Sequence, residues 1–419
     1  MRALIKVAVA GVVGLLGIAV AGQWLTAYQH DKQLTAWLAA LNSVPGVQAQ
    51  WHPDANTWLQ RDGDLQLTLQ PDVVRQLSAG LLQPASATVW QWNIRQQLWP
   101  FYISGRAYLD PEVGRYQQLI LEHGMAAVPH KLRWHVYGLT QRFDTRFEMS
   151  RFQIDAEPGL TVAPLKLALV GSRDRLSLSL DWQGMTPTAA APSWRIAPLR
   201  AAADWRLQEG DWQLQQQQGA VEAVSLTSGL QVTQLDWAFQ RLPGREPQRQ
   251  TLALNLACAQ CHWPQGEVDI EQLQLQLQLL DLDSSALQAL VQGPVQGAMA
   301  QWQKLAALQQ LAAQGGTLNL PQFTMTFNQG VLQLAGKLAL QANPAPLLSV
   351  PALLSRLEGA LELQASDRLL ALWPNQTTVQ QWQRAGYLQQ QDGGWHSALR
   401  ATAGRVSING VVLEAQSAK

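Results

Sequence analysis

The heptapeptide LQLQLQL, from Leu273 to Leu279, alternates an apolar with a polar residue at every step. A β-strand places successive side chains on opposite faces of its sheet, so this pattern puts the leucines on one face and the glutamines on the other. A helix would scatter the same leucines around its axis. The stretch therefore predicts a strand of an antiparallel sheet that has one apolar and one solvated face.

The same alternation recurs along most of the chain. It appears as LQLTL from Leu65 to Leu69, LKLAL from Leu165 to Leu169, and LSLSLDW from Leu176 to Trp182. Turn-forming residues at 171–174 and 328–330 separate such runs into hairpins. We predict a mainly β fold of elongated antiparallel sheets, with an N-terminal transmembrane helix and a few amphipathic helices (α+β by count). The apolar face of such a sheet must pack on another layer or meet a partner.

The N-terminus carries an uncharged run that predicts the membrane helix. Arg2 and Lys6 precede this run, which extends from Val7 to Gln29. Its length suffices to cross the hydrocarbon core of a bilayer, and its positive end stays in the cytoplasm. Residues 1–29 are therefore predicted to be a single-pass signal anchor, with the bulk of the chain outside the cytoplasm.

A cleaved signal peptide is the competing interpretation of the same residues. Ala19-Val20-Ala21 matches the A-x-A pattern of a cleavage site. Trp24 and Tyr28 lie where an interfacial aromatic belt is expected, and they favour the uncleaved anchor. Both interpretations export the rest of the chain.

The exported body is predicted to consist of three regions. Leucine and tryptophan recur at helical spacing between residues 34 and 41, so 30–45 is an amphipathic helix that Pro45-Gly46 ends. Residues 46–250 and 251–419 are β-rich, and a helical insert at 284–314, capped by Ser284 or Ser285, interrupts the second. A boundary near residue 250 and a sheet continuous across it both fit the sequence.

Composition and motifs argue against several classes of function. The formal net charge is zero and 14% of residues are charged, so no strong attraction to nucleic acid is expected. No P-loop, Rossmann, G-x-S-x-G or H-E-x-x-H pattern occurs. If 131–137 is a strand, His130 and His135 face opposite ways, which defeats a shared metal site. We therefore predict no catalytic, cofactor-binding or metal-binding residues and no enzymatic activity.

A basic and aromatic stretch, KLRWHVYGLTQRFDTRFEMSRF, spans residues 131–152. Its cations are Lys131, Arg133, Arg142, Arg146 and Arg151. They can face anionic lipid headgroups, or they can protect an edge strand from pairing with another chain. The edge strand is the simpler interpretation.

Both cysteines fall in Cys258-Ala259-Gln260-Cys261-His262, which matches the haem-attachment pattern C-x-x-C-H. Haem attachment needs a turn and a helix, whereas the residues before the motif alternate as a strand and Trp263-Pro264 enforces extended backbone. In an oxidising compartment a local disulfide between Cys258 and Cys261 is the simplest interpretation, provided that the chain turns between them. Free thiols, a metal or redox site, and haem are the alternatives.

The C-terminal half resembles a known family. A strand and helix in LQLLDLDSSALQALVQ (277–292) precede further strands, and the chain closes with QRAGYLQQQDGGWHSALRATAGRVSINGVVLE (383–414). Asp392, Gly393 and Gly394 suit one hairpin turn, and Asn409 and Gly410 suit another. This order, over roughly residues 260–414, resembles the YdgA-like family of bacterial inner-membrane-anchored envelope proteins of unknown function. The resemblance implies an N-terminal anchor, a β-rich periplasmic body and no assigned activity.

Three functions follow as hypotheses. The first is a non-enzymatic envelope protein, anchored in the bacterial inner membrane, that binds or shuttles lipid on an apolar sheet face. The second is a structural module with a self-packed sheet that binds other envelope proteins. A distant third is a c-type haem or redox protein that uses Cys258, Cys261 and His262. No cofactor is expected under the first two.

Overall fold

The computed structural model describes residues 2–77, 86–114, 130–154, 159–188, 194–208, 210–226, 229–246, 248–264, 268–292, 298–343, 352, 354–373, 375–391, 393–402 and 404–413. For residues 2–18, 55, 291, 292 and 298–303 it describes the backbone alone. Contacts divide the chain into two compact units. Unit 1 comprises Met1–Pro192 and Asp204–Gln213, and unit 2 comprises Ser193–Ala203 and Leu214–Lys419.

The described helices are α1 (Arg2–Asn42), α2 (Pro71–Leu77), α3 (Ser284–Gln292), α4 (Ala298–Gln314), α5 (Asp367–Ala371) and α6 (Gln376–Arg384). The strands are β1 (Val47–Asn56), β2 (Gln60–Leu69), β3 (Thr88–Trp99), β4 (Tyr102–Leu109), β5 (His130–Tyr137), β6 (Arg142–Met149), β7 (Phe152–Ile154), β8 (Leu160–Val162), β9 (Leu165–Gly171), β10 (Arg175–Trp182), β11 (Met185–Pro187), β12 (Arg195–Ile196), β13 (Leu199–Gln208), β14 (Asp211–Ser225), β15 (Gln231–Pro243), β16 (Arg249–Trp263), β17 (Val268–Asp283), β18 (Gly316–Phe327), β19 (Gly330–Leu340), β20 (Leu357–Ser366), β21 (Gln389–Gln391), β22 (Gly394–Thr402), β23 (Arg405–Ile408) and β24 (Val411–Val412). The prediction of a mainly β, antiparallel chain is confirmed.

In unit 1 the strands pair in the order β1-β2-β3-β4-β5-β6-β9-β10, antiparallel at each step. One face carries the apolar positions of the alternation. Leu98 is completely buried there, and Ala107 and Leu65 are almost so. Trp134 lies across Gly105 on the neighbouring strand, where a Cβ atom would come within 2.1 Å of the indole ring. A glycine at this position therefore makes room for the ring.

The C-terminal half of α1 packs against this sheet through polar side chains. The buried Gln23 donates from Nε2 to the carbonyl oxygens of Trp58 (2.8 Å) and Leu98 (3.0 Å). The hydroxyl of Thr26 accepts from the backbone N–H of Phe101 at 2.9 Å. Helix α1 is continuous from Arg2 to Asn42. The helix predicted at 30–45 is thus its last part rather than a separate element.

Within the described residues, no helix combines the length and the apolar character needed to cross a membrane. The predicted span from Val7 to Gln29 falls in large part on residues of α1 whose side chains lie outside the description. Its last two turns, from Gly22 onwards, lie against β3 and the turn that follows it.

In unit 2 the strands pair in the order β14-β15-β16-β17-β18-β19-β20-β22, with β12 beside β14 and with β21 and β23 beside β22. β15 and β16 pair along residues 231–262, so the sheet is continuous across residue 250. Helices α3 and α4 contact β17, and α5 contacts β19 and β20.

Helix α3 starts at Ser284, and its cap lies one residue before the two predicted cap residues. Asp283 Oδ1 accepts from the backbone N–H of Ala286 at 2.8 Å and from the hydroxyl of Ser285 at 2.6 Å. Asp283 therefore caps α3, and the prediction of Ser284 or Ser285 is wrong, because a carboxylate was available one residue before them. Helix α4 ends at Gln314, and Gly315 follows with a positive φ of 73°. The predicted break at Gly293-Pro294 lies outside the described residues.

Candidate functional site

A row of large apolar side chains crosses the sheet of unit 2. Backbone register places these residues directly opposite one another on six consecutive strands: Trp237, Leu256, Leu275, Phe323, Leu334 and Leu363. We call this set the leucine row. Directly paired residues of an antiparallel sheet share a face, so the six side chains lie side by side. The row runs at right angles to the strands, and Leu275 of the LQLQLQL stretch is one of its members.

The leucine row is half-buried along its whole length. Its flanking apolar residues Phe239, Leu254 and Leu277 are also half-buried, and Cys258 beside them is buried. Trp237 gains part of its cover from its own sheet, because the indole lies across Gly219, where a Cβ atom would come within 2.1 Å of the ring. An apolar surface of this length that retains contact with solvent is typical of an interaction site.

A cavity of unit 2 lies along the strands β13 to β17. It has a volume of about 670 Å³ and is lined by three successive positions on each of five neighbouring strands. The outer two positions form the rows Arg200, Ala220, Asp236, Ala257, Gln274 and Ala202, Gln218, Ala238, Asn255, Gln276. The middle positions are Ala201, Gly219, Trp237, Leu256 and Leu275, the last three of which belong to the leucine row. The lining of the cavity therefore combines apolar side chains of the leucine row with two flanking rows in which alanine and polar residues are mixed.

Three hairpin turns of unit 1 carry exposed apolar side chains beside α1. Trp58 is 53% exposed, Leu59 48%, Trp99 50% and Leu139 77%. We call these four residues, with Phe101, the hairpin-tip patch. Backbone hydrogen bonds hold the turns together, from Leu98 N–H to Leu59 O (2.8 Å) and from Gly138 N–H to Phe101 O (2.7 Å). The patch is therefore one surface rather than scattered residues.

Helix α1 adds two aromatic rings near this patch. Trp24 and Tyr28 are more than half exposed and stack on each other, with ring centroids 5.7 Å apart. They lie on the side of the helix away from the buried Gln23 and Thr26. A cavity of about 470 Å³ lies among Pro100, Phe101, Tyr102, Tyr137, Leu139 and Thr140. Exposed aromatic and aliphatic side chains are thus concentrated at the α1 end of this sheet.

The predicted basic stretch lies inside the sheet of unit 1. β5 pairs with β4 and β6, and β6 pairs with β5 and β9, so neither is an edge strand. The interpretation of these cations as guards of an edge is therefore wrong. Lys131, Arg133, Arg142 and Arg146 lie on the polar face, and Arg151 follows β6.

The histidines have separate partners. His130 Nε2 accepts from the backbone N–H of Leu109 at 2.6 Å, and His135 Nδ1 lies 2.7 Å from the hydroxyl oxygen of Tyr102. His123 lies outside the described residues. Across the described ranges, no group of three or more His, Cys, Asp or Glu side chains could hold a metal ion.

The cysteine motif lies within a strand. β16 runs unbroken from Arg249 to Trp263, with Cys258 opposite Leu235 and Leu273 and with Cys261 opposite Val232 and Ile270. The turn predicted between the cysteines is therefore absent, because Pro264 follows the strand and does not interrupt it. Both thiols are free, and burial together with the charge of Cys261 raises the pKa of Cys258. The disulfide stays a prediction, which the mass of the exported chain can test.

The residues around the motif show a local irregularity. Gln234 and Gln272, on the two strands beside Ala259, adopt positive φ angles of 50° and 52°. The register of both neighbouring ladders skips Ala259. His262 Nδ1 lies 3.6 Å from Asp269 Oδ1 on β17. This extended arrangement differs from the turn and helix that covalent haem attachment uses.

The predicted turn residues lie at hairpin ends. Asn409 and Gly410 connect β23 to β24, with φ angles of 49° and 84°. Asn409 also donates from Nδ2 to the carbonyl oxygen of Tyr387 at 3.0 Å. Gly393 lies between the paired strands β21 and β22, and Gly394 is the first residue of β22. Asp392 lies outside the described residues.

Comparison with known proteins gives one match. A model of a bacterial protein family of unknown function, DUF945, matches residues 134–414. No curated protein and no solved structure matches. The family match starts in β5, well upstream of the residues on which the sequence resemblance was based, and covers more than half of the chain. The chain therefore belongs to the DUF945 family of bacterial proteins of unknown function.

Proposed function

We propose that this chain is a non-enzymatic envelope protein, anchored in the bacterial inner membrane with its bulk in the periplasm, that binds or shuttles lipid. The leucine row is the observation that carries the proposal. Its six side chains form a continuous apolar strip across six strands, about 24 Å long at the usual spacing of strands. A strip of this length matches an extended acyl chain. The inner-membrane anchor and the periplasmic location in this proposal are those that the resemblance to the YdgA-like family implies.

The binding energy of an acyl chain on such a strip comes from removal of apolar surface from water. Complete burial of a large apolar side chain contributes roughly 1.5 to 3 kcal/mol of free energy. Each half-buried leucine that the ligand covers contributes a fraction of that amount. The acyl chain buries its own apolar surface in the same contact, so both partners contribute to the binding energy.

The hairpin-tip patch supports the location at a membrane. Trp58 and Trp99 are exposed at turns that α1 contacts through Gln23 and Thr26, and Leu139 is exposed at the adjacent turn. Tryptophan and tyrosine are favoured at the level of lipid headgroups, where an apolar ring and a polar atom are both solvated suitably. Unit 1 would therefore touch the bilayer with its turns, next to the point where the predicted anchor leaves it.

A dansyl-labelled fatty acid tests lipid binding on the intact chain. Leu256→Gln with Leu275→Gln places two polar groups in the leucine row, and we expect the Kd of the probe to rise about tenfold or more. Asn255→Ala with Gln276→Ala is the matched control, because these residues lie on the same strands and the opposite face. Circular dichroism checks that each variant is folded. Equal affinity of the two double variants would contradict the proposal.

The alternative function is a module that binds another envelope protein on the same open face. The half-buried state of the leucine row favours any apolar partner, so it supports this alternative too. Failure of the fatty-acid probe to bind, together with loss of a co-purifying envelope protein from Leu256→Gln but not from Asn255→Ala, would favour the protein partner.

A nitroxide label tests the contact of unit 1 with the membrane. The label is placed at Leu139→Cys in a chain whose Cys258 and Cys261 are replaced by alanine, reconstituted in vesicles. We expect collisions with oxygen, which concentrates in the bilayer, to exceed collisions with an aqueous nickel chelate. Glu112→Cys, at an exposed position after β4 and at the other end of the sheet, is the control, and the same accessibility at both sites would refute the membrane contact.

A further inference from the structure

Four arginines lie directly opposite one another on four consecutive strands of unit 1. Backbone register pairs Arg95 with Arg106, Arg106 with Arg133, and Arg133 with Arg146. We call them the arginine row. Like charges at directly opposed positions of a sheet repel one another and destabilise it. Three such contacts in succession therefore need a reason beyond the stability of the fold.

In the neighbouring row on the same face, each charged residue lies opposite a residue of the other sign. There the register pairs Lys131 with Glu148, Glu148 with Lys166, and Lys166 with Asp181, so the sign of the charge alternates at each strand. The same strands β5 and β6 thus carry one row that compensates its own charges and one row that does not.

The arginine row also has few anionic partners of its own. Asp144 binds Arg146 through two hydrogen bonds, of 3.0 and 2.8 Å. Asp62, opposite Arg95, accepts instead from the backbone N–H of Gln96 and from the amide of Gln60. In the portion of the chain that the structure describes, no hydrogen bond or ion pair engages the guanidinium groups of Arg95, Arg106 or Arg133. Three guanidinium groups are therefore available to a ligand.

The surface around the row can accept a ligand. A cavity of about 480 Å³ is lined by Arg95, Arg106 and Arg133, with Lys131, His135 and one carboxylate, Asp62. A second cavity of about 280 Å³ adjoins it beside Arg146 and is lined in part by Asp144 and Glu148. Strand spacing of about 4.8 Å makes the row about 14 Å long. A guanidinium group presents parallel N–H donors that match two oxygens of a phosphate.

We propose that the arginine row is a binding site for phosphate groups of a ligand that carries several of them or presents them side by side. The three available guanidinium groups, at regular spacing, match such an array better than a single carboxylate. A soluble polyphosphate and the headgroups of anionic phospholipids share this chemistry. The site lies on the polar face of unit 1 and uses none of the residues of the leucine row, so it goes beyond the proposed lipid function.

The test uses the intact chain and two probes: inorganic tripolyphosphate, and phosphatidylcholine vesicles with or without phosphatidic acid. Arg106→Gln with Arg133→Gln removes the two central cations and breaks no described contact, so the variant is expected to fold. Arg173→Gln with Arg405→Gln, two exposed arginines outside the row, loses the same charge. We expect binding to weaken about tenfold or more in the first variant, as for the loss of a charged hydrogen bond.

The outcomes separate the sources of phosphate. Tripolyphosphate that raises the unfolding temperature of the wild-type chain, but not of the row variant, assigns a soluble ligand. Extra binding to vesicles that contain phosphatidic acid, lost in the row variant and without a tripolyphosphate effect, assigns a lipid headgroup. If neither probe binds, or if the control variant loses as much affinity as the row variant, the site is refuted. Leu256→Gln with Leu275→Gln leaves this binding unchanged, whether or not lipid binding by the leucine row holds.

Discussion

In unit 1, α1 packs against the end of the sheet where Leu98 is completely buried, whereas in unit 2 the leucine row stays half-exposed from Trp237 to Leu363. Both regions follow the same alternation of apolar and polar residues. The difference lies in what covers the apolar face, because Gln23 and Thr26 fix a helix over one region. Alternation therefore determines the faces of a strand, and the covering element decides whether a face becomes core or surface.

The first prediction compares one leucine from each region. Leu98→Ala removes a fully buried side chain and is expected to lower the free energy of unfolding by about 2 to 5 kcal/mol. Leu256→Ala removes a half-buried one and is expected to cost about 1 kcal/mol. Urea denaturation followed by far-UV circular dichroism measures both. Equal losses of unfolding free energy would mean that the leucine row is core, as Leu98 is, and would contradict the difference between the two regions.

The second prediction concerns the residue that fixes the covering helix. Gln23→Ala leaves the carbonyl oxygens of Trp58 and Leu98 without their donor, and is expected to cost about 1 to 3 kcal/mol. Gln29→Ala, at an exposed position of the same helix, is the matched control and is expected to be neutral. Thermal unfolding of both variants gives the values. A neutral Gln23→Ala would show that α1 is held by other contacts.

The third prediction examines the irregular ladder in unit 2. Gln272 has a positive φ of 52°, which glycine adopts without strain, whereas Gln274 two residues later is in regular strand geometry. We expect Gln272→Gly to be more stable than Gln274→Gly by about 1 to 2 kcal/mol. Equal stabilities, measured by denaturant unfolding, would mean that the left-handed conformation at Gln272 carries no strain.

The fourth prediction has the smallest effect and depends on pH. Burial raises the pKa of Asp64, and the nearby carboxylates Asp54 and Asp110 raise it further. One of its carboxylate oxygens is buried without a hydrogen-bond partner. Asp64→Asn is therefore expected to stabilise unit 1 at pH 7 by about 0.2 to 1 kcal/mol.

The sign of the pH dependence follows from the raised pKa. Between the pKa of the unfolded chain and the higher pKa of the folded one, the folded state binds more protons, so wild-type stability increases as the pH falls. The advantage of Asp64→Asn should therefore shrink as the pH is lowered through the folded pKa. Thermal unfolding from pH 7 to acid measures it, with the exposed Glu222→Gln as the control. An advantage that is constant over this range would contradict the assignment.

The sequence predicted the strands well, because each apolar and polar alternation is a local signal. LQLTL, LKLAL, LSLSLDW and LQLQLQL all lie in strands. Local signals were less reliable at boundaries. The turn that a disulfide between Cys258 and Cys261 requires is absent, because β16 continues through both cysteines to Trp263. Asp283 caps α3 one residue before the serines that were expected to do so.

The two candidate sites depend on the pairing register of neighbouring strands, which cannot be deduced from the sequence alone. Arg133 and Arg146 were visible within a basic stretch, but Arg95 and Arg106 lie on separate strands and became neighbours only through the lengths of the turns. The leucine row likewise joins residues up to 126 positions apart, from Trp237 to Leu363. The two hydrogen bonds that Gln23 donates to Trp58 and Leu98 could not be predicted, because a glutamine within an apolar run does not indicate its backbone partners.

The most direct test of the lipid-binding proposal is photo-crosslinking in intact cells at two adjacent residues of β17. p-Benzoylphenylalanine replaces Leu275, in the leucine row, or Gln276, on the opposite face, in the full chain. After irradiation, mass spectrometry identifies what is attached. Lipid binding by the leucine row predicts a lipid adduct at position 275 and none at 276. A protein adduct at 275, equal lipid adducts at both positions, or no adduct at 275 would contradict it.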